Sequence, residues 1–307
     1  MTAFLFPGQG SQYVGMGKEW AEGSPIAREY FERADAVLGR GLSKLCFVGP
    51  EDELTDTRNA QLAIYVVSCI SARLLMDRSL APSYVAGHSI GEYPALVAAE
   101  SIDFDTGVAL VKERANAMAD AGEANPGTMA AIIRMEPHDV ENTVREIDQE
   151  GPGCLSVAGF NSPEQTVISG SVECVERAME VLKEKGARRV IPLSVSGAFH
   201  SDLMMSARER LQKAVEATEF RPPKIPFISN NTGQPAGSVE EIRNHLPRQL
   251  TSPVRWTATM EYLVREGCES FVDTGPGMVV SGLLKKFDPG LKCVTVSDLD
   301  SFDAVVD

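Results

Sequence analysis

A serine set between two glycines, Gly87-His88-Ser89-Ile90-Gly91, is the first place in this 307-residue chain where chemistry could sit. The G-x-S-x-G spacing suits a sharp strand-to-helix turn that lifts a serine oxygen above a sheet, and the small flanking residues tolerate the strained backbone this requires. An ordinary serine in a tight β–α turn would carry the same five residues, but the neighbours favour a nucleophile. Ser83–Gly87 is a short apolar strand and Glu92–Ala99 reads as a helix, so Ser89 falls near a helix N-terminus. A serine nucleophile needs a base, and the chain offers four histidines. His88 adjoins Ser89 and, at the end of an extended strand, should face the opposite side. His138 follows Pro137 at a helix start, where solvation explains it. His245 lies among Arg243, Asn244 and Arg248. His200 remains, in Ser196-Gly197-Ala198-Phe199-His200-Ser201, just past a strand. Elimination makes it the candidate base, against the alternative of a buried structural imidazole.

Two further features bear on that chemistry. Pro7-Gly8-Gln9-Gly10-Ser11-Gln12 is a glycine-rich loop after the first strand. It is no dinucleotide fingerprint, because Tyr13 occupies the third glycine position, and no phosphate loop, because no Gly-Lys-Ser/Thr closes it. Its backbone N–H groups, including that of Gln9, could face a developing oxyanion together with the N–H of Ile90; a simple tight turn would look the same. Arg114 lies beside an apolar helical stripe of Val111, Ala115 and Met118. Its neighbours three and four residues away are Leu110, Val111, Ala117 and Met118, none of them acidic, so it has no partner within its helix. A guanidinium at the margin of an apolar face needs an anion from elsewhere. Either a distant carboxylate supplies it, or the carboxylate of a substrate does, held by two parallel hydrogen bonds.

The elements that must position these residues follow an α/β rhythm. Thr2–Phe6 is a buried strand stopped by Pro7-Gly8, Asn59–Met76 is a long apolar helix, and Asp105–Ala121 is a helix with one apolar stripe. Strand and helix resume with Pro226–Ser229, Val239–Leu250, Ser270–Val272, Met278–Lys286 and Lys292–Val296. This alternation predicts a parallel sheet covered on both faces. Between them the rhythm changes to strand Thr128–Met135, helix Pro137–Gln149, strands Leu155–Gly159 and Gln165–Ser169, helix Val172–Lys185 and strand Arg189–Val195, a β-α-β-β-α-β order of ferredoxin-like type. The expected organisation is a core of residues 1–124 and 196–307 interrupted by a small subdomain, 125–195, with a cleft between them.

Composition bounds the function. The chain is 43% hydrophobic and 23% charged, as expected of a globular protein with a substantial core. Its formal charge of −14 argues against nucleic acid, which calls for a basic face. Six scattered cysteines, without C-x-x-C or paired Cys/His spacing, read as reduced thiols and not as disulfides or a zinc site. No signal-peptide pattern opens the chain and no uninterrupted run of 18 apolar residues occurs, so a cytoplasmic protein that does not engage a membrane is expected.

Taken together, FPGQGSQ (6–12), GHSIG (87–91), ERANAM (113–118), AGFNSP (158–163), SGAFHS (196–201), QLTSPVRW (249–256) and VDTGPG (272–277) resemble the malonyl-CoA:acyl carrier protein transacylases of fatty acid and polyketide synthesis. The resemblance covers nearly the whole chain. It implies a hydrolase-like α/β core with a ferredoxin-like insert, in agreement with the reading above. It further implies that Ser89 is acylated by malonyl-CoA and that His200 is the base and acid, held by backbone carbonyls and not by a triad aspartate. Gln9 and Ile90 would supply oxyanion N–H groups and Arg114 would clamp the malonyl carboxylate. Gln249 would orient the acyl site, and His88, Met118, Asn161 and Phe199 would line or buttress the pocket. Ala198-Phe199 before His200 and Ile90 after Ser89 resemble the malonyl-selective pattern; Ala115 and Ala119 depart from the glycine and glutamine found in many members.

On this resemblance the reaction is a ping-pong transfer from malonyl-CoA to the phosphopantetheine thiol of an acyl carrier protein. It uses no metal and no cofactor of its own. Because such carriers are acidic and so is this chain, docking would need a local basic patch, with Lys183, Lys185, Arg188 and Arg189, or Lys285 and Lys286, as candidates. Two other functions are compatible with the fold: an acyl hydrolase that unloads carriers, against which Arg114 argues, and a non-catalytic docking subunit, against which the intact Ser89 and His200 argue.

Overall fold

In a computed structural model describing residues 1–151 and 153–306, the strands in chain order are β1 (Thr2–Phe6), β2 (Tyr84–Gly87), β3 (Gly127–Ile133), β4 (Leu155–Ser162), β5 (Gln165–Ser171), β6 (Arg189–Leu193), β7 (Phe227–Ser229), β8 (Gln234–Pro235), β9 (Ser270–Thr274) and β10 (Lys292–Val296). One sheet has the order β10-β9-β1-β2-β7-β8. All its pairings are parallel except the short β7–β8 hairpin, and β1 lies between β2 and β9 with Phe4 level with Val85 and Val272. Strand alternation sends Phe4 and Phe6 into the larger core and Ala3 and Leu5 into a second core on the other face. The expected parallel sheet with cover on both faces is what forms.

The second sheet is antiparallel, with the order β4-β5-β3-β6. Helices Pro137–Gln149 and Val172–Glu184 pack on one face around Ile132, Val140, Ile168 and Val175. The βαββαβ order and this strand arrangement are those of a ferredoxin-like unit. The backbone bonds Phe160 N–H to Val254 O (2.9 Å) and Val254 N–H to Ala158 O (2.9 Å) tie β4 to the segment before helix Trp256–Arg265.

Helix Thr57–Asp77 is long and apolar enough to cross a membrane, yet 83% of its most apolar window is buried inside the protein. It is a core helix, packed against β9 and the Ser89 turn. Helices at Lys18–Gly23, Pro25–Leu38, Leu42–Val48, Glu51–Thr55, Met205–Glu216, Trp256–Arg265 and Leu299–Val306 were not anticipated from periodicity. The second of these nonetheless carries its own signals. Ser24 Oγ accepts from the Ala27 N–H, proline opens the helix, and Gly39 closes it at φ 67°.

Candidate active site

The turn after β2 sets the site. Ser89 has φ 52°, a left-handed conformation that a non-glycine residue adopts only under constraint, and His200 has φ 60°. The two glycines of the motif make the turn possible. A Cβ on Gly87 would lie 1.9 Å from the Gly91 carbonyl carbon, and one on Gly91 would lie 2.3 Å from the Phe6 carbonyl oxygen. The backbone therefore crosses itself with no room for a methyl group. Asn230, at the end of β7, locks the turn: its Oδ1 accepts from the Ser89 N–H at 2.7 Å and its Nδ2 donates to Gly87 O at 2.6 Å.

Ser89 Oγ lies 2.9 Å from His200 Nε2. The other ring nitrogen, Nδ1, is 2.8 Å from the Gln249 carbonyl oxygen. A carbonyl can only accept, so Nδ1 carries the proton and Nε2 is left as an acceptor for the serine hydroxyl. Burial, aided by the nearby Arg114 cation, pushes the imidazole down to about 3, so it is neutral at physiological pH. No carboxylate takes part in this pair. A half-buried hydroxyl and a neutral buried imidazole in hydrogen-bond contact have the geometry that a nucleophile and its base require.

Arg114 is 1% exposed, on helix Phe104–Ala124. Its Nη2 donates to Ser89 Oγ and to Gln249 Oε1, both at 2.9 Å, and its Nη1 donates to Gln61 Oε1. Among the described residues no carboxylate comes within ion-pair distance of it. Its Nε is buried without a partner. Of the two anions the sequence left open, no protein carboxylate occupies the site of contact.

The serine, the imidazole and the guanidinium open on a cavity of about 820 Å³ between the carboxyl ends of the central strands β1 and β2 and the antiparallel sheet. Gln9, His88, Ile90, Met118, Asn161 and Phe199 line it as well. Gln249 stands behind it, 1% exposed, bridging the base, the cation and Ser89 O. His88, expected on the opposite side from the serine, lines the same cavity as Ser89. Its Nε2 meets Asn161 Oδ1 at 2.9 Å and its ring packs edge-on to Trp256, 5.4 Å between centroids. Gly8 lets the loop of Gln9 pass over this turn, since a Cβ there would sit 2.9 Å from His88 O. His138 is exposed, and neither it nor His245 lines the cavity. Among the described residues no cluster of three His, Cys, Asp or Glu could hold a metal.

Three residues at the site were missed by the sequence reading: Asn230, Gln61 and Glu92. Glu92 is 0% exposed, its Oε1 accepts from the Asn230 N–H at 2.6 Å, and its Oε2 accepts from Gln249 Nε2. Burial raises this carboxyl to about 8 despite those donors. Gln61 and Glu92 each stand at the start of an apolar helical stretch, where a polar residue is ordinary, so neither carried a signal in the sequence.

Fold and constellation together define an acyl-group transferase with a serine at its centre. Residues 3–288 match the family described as acyl transferase domain. Within it the chain belongs to the malonyl-CoA:acyl carrier protein transacylases. It is 41% identical over 304 residues to the malonyl CoA-acyl carrier protein transacylase of Bacillus subtilis, covering 99% of this chain and 96% of that one. The structure of an acyl carrier protein S-malonyltransferase from Vibrio cholerae superposes with a TM-score of 0.95 at 40% identity, covering 99% of each chain. A malonyl-transacylase solved in complex with its type II polyketide synthase acyl-carrier protein superposes with a TM-score of 0.94 at 38% identity, covering 99% of this chain and 98% of that one.

Proposed function

We propose that the protein transfers a malonyl group from malonyl-CoA to the phosphopantetheine thiol of an acyl carrier protein by way of a malonyl ester on Ser89. The observation that carries this reading is the buried guanidinium of Arg114, which among the described residues has no carboxylate partner and lies 2.9 Å from the Ser89 oxygen that His200 Nε2 also meets at 2.9 Å. An acyl group on that oxygen with a carboxylate two carbons away would place its charge against Arg114. A hydrolase of simple acyl chains gains nothing from such a cation.

In the first half-reaction Ser89 Oγ attacks the thioester carbonyl while His200 Nε2 takes the hydroxyl proton. The resulting oxyanion lies between the backbone N–H groups of Gln9 and Ile90. The carbon–sulfur bond then breaks, and His200 returns the proton to the departing CoA thiolate. In the second half-reaction His200 takes the proton of the carrier thiol, whose sulfur attacks the malonyl ester, and Ser89 leaves with its proton restored. The Gln249 carbonyl, bonded to Nδ1–H, steadies the imidazolium that forms in each half. Transfer must outrun hydrolysis, which calls for the substrate to displace water from the cavity.

Residues 125–195 act in this scheme as a small subdomain that supplies one wall of the cavity, with Met129, Val167 and Leu193 facing it. Of the two basic clusters, Lys185 is already paired with Glu146 at 2.9 Å. Lys286 instead reaches Gln165, itself at the cavity wall, with 2.9 Å between Nζ and Oε1. This nearness to the cavity supports Lys285 and Lys286 as the patch that an acidic carrier would approach. The substrates, malonyl-CoA and a carrier bearing its own phosphopantetheine, are those of the cytoplasm, and the scheme uses no further cofactor. Initial rates measured against both substrates test it: parallel double-reciprocal lines are expected, whereas intersecting lines, or release of free malonate without loading of the carrier, would contradict it.

A further inference from the structure

The buried carboxyl of Glu92 has no part in the transfer just described, yet it touches both halves of the site. Through Asn230 it reaches the turn that carries Ser89, and through Gln249 it reaches His200 and Arg114. An amide side chain has one accepting end and one donating end, and nothing in its shape decides which end points where. At Gln249 the choice matters. Its oxygen must face Arg114, because an NH₂ turned toward a guanidinium would set donor against donor in a buried space.

We propose that Glu92 is a positioning residue that fixes the polarity of Gln249, so that its oxygen holds Arg114 where an acyl carboxylate can meet the guanidinium. A buried donor left facing another donor is costly. With Glu92 ionised, both of its carboxyl oxygens accept, one from the Asn230 N–H and one from Gln249 Nε2. The Gln249 NH₂ is therefore drawn to Glu92 and to Ser89 O (3.0 Å), and Oε1 is left for Arg114 Nη2 at 2.9 Å. The relay runs Arg114 to Gln249 to Glu92, each donating to the next. Glu92 is thereby a determinant of selectivity for carboxylated acyl groups, acting through a residue that touches Arg114 and not through the substrate.

Glu92→Gln assayed at about pH 9, where the wild-type carboxyl, raised to about 8, is ionised, tests this, since it keeps the shape and removes one acceptor. With the oxygen of the introduced amide retained by the Asn230 N–H, the new NH₂ faces the Gln249 NH₂ and the Gln249 amide turns over. The kcat/KM for malonyl-CoA is then expected to fall by roughly 30-fold or more while that for acetyl-CoA changes by less than about threefold, with thermal unfolding recorded alongside. Glu92→Asp keeps two accepting oxygens and is expected to hold the malonyl-to-acetyl ratio closer to wild type than Glu92→Gln does. An unchanged ratio in folded Glu92→Gln, or equal loss for both substrates, overturns the relay. The wild-type protein gives a separate readout that needs no variant. The side-chain amide resonances of Gln249 should move between about pH 6 and 9 as Glu92, raised to about 8, titrates beside them. Of the other titratable groups around this cluster, His200 is lowered to about 3, burial raises the Tyr93 phenol, and Arg114 is a guanidinium that keeps its proton, so none titrates in that window. Resonances that stay still across it also overturn the relay. The inference rests on the proposed malonyl transfer, but the two fail differently: wild-type protein inert toward malonyl-CoA defeats the function, whereas active wild type with an indifferent Glu92→Gln defeats only the relay.

Discussion

Removing the guanidinium with Arg114→Ala is the sharpest perturbation of substrate choice. Arg114 is essentially fully buried and its Nε has no partner, so an incoming malonyl carboxylate is expected to find donors already desolvated. A hydrogen bond to a charged group contributes roughly 1.5–3 kcal/mol. Two of them, less the cost of stripping water from the carboxylate, amount to about 3–5 kcal/mol, or a fall of about 10²- to 10⁴-fold in kcat/KM for malonyl-CoA. Acetyl-CoA has no carboxylate to lose, and its kcat/KM should stay within about tenfold of wild type on the same scale. Part of any acetyl effect would come from the oxygens of Gln61 and Gln249, which lose their donor. Arg114→Lys should fall between, because an ammonium is a point charge that cannot present two parallel donors. The assay is carrier loading from each acyl-CoA under second-order conditions, with thermal unfolding as control. Equal losses for malonyl and acetyl in folded Arg114→Ala would refute the clamp.

Other expectations follow from the same geometry. His200 is held near 3 by burial, with Arg114 adding to the shift, so kcat/KM should show no acid limb near the ordinary histidine value of 6.5; a limb at 6.5 assigned to His200 by loss in His200→Ala would contradict that. The sign for stability is fixed by linkage. The unfolded chain binds a proton at this histidine below 6.5 and the folded one does not until about 3, so His200 contributes a loss of stability as pH falls through that window. Denaturant midpoints should therefore drop less on acidification in His200→Ala than in wild type, and an identical drop would contradict the assignment. Gly91→Ala places a methyl carbon 2.3 Å from Phe6 O, where the nearest neighbours are backbone. It should destabilise by roughly 3 kcal/mol or more, beyond ordinary overpacking, in a urea titration; a wild-type midpoint would show that the turn is looser than described.

How much of this was legible beforehand depended on whether a signal was local. The Ser89 turn was readable because glycine, serine and the flanking strand and helix lie together in sequence, and the structure shows why: Gly87 and Gly91 meet across the turn. Helix Pro137–Gln149 and strand β10 kept their expected bounds, since one has a proline start and a clear apolar stripe and the other an isolated apolar run. Strand β4 runs on to Ser162, past the expected end at Gly159, because two register irregularities let it continue and its glycine contacts Val254. The Glu92–Gln249–Arg114 relay was not legible, although each residue stood in plain view. Gln249 lies 157 positions from Glu92, and only the tertiary fold brings them together. Gln249 itself was expected within helix Val239–Leu250 but begins a 3₁₀ turn, Gln249–Thr251, whose tighter winding aims its carbonyl at His200.

Central to all of this is the Ser89 hydroxyl as the carrier of the acyl group in transit. Intact-protein mass spectrometry after brief mixing with malonyl-CoA tests it most directly. Wild type is expected to gain one malonyl group, mapped to the peptide containing Ser89 and discharged by added carrier thiol, with no gain in Ser89→Ala. Wild-type protein that acquires no mass, or an adduct that persists in Ser89→Ala, would contradict it.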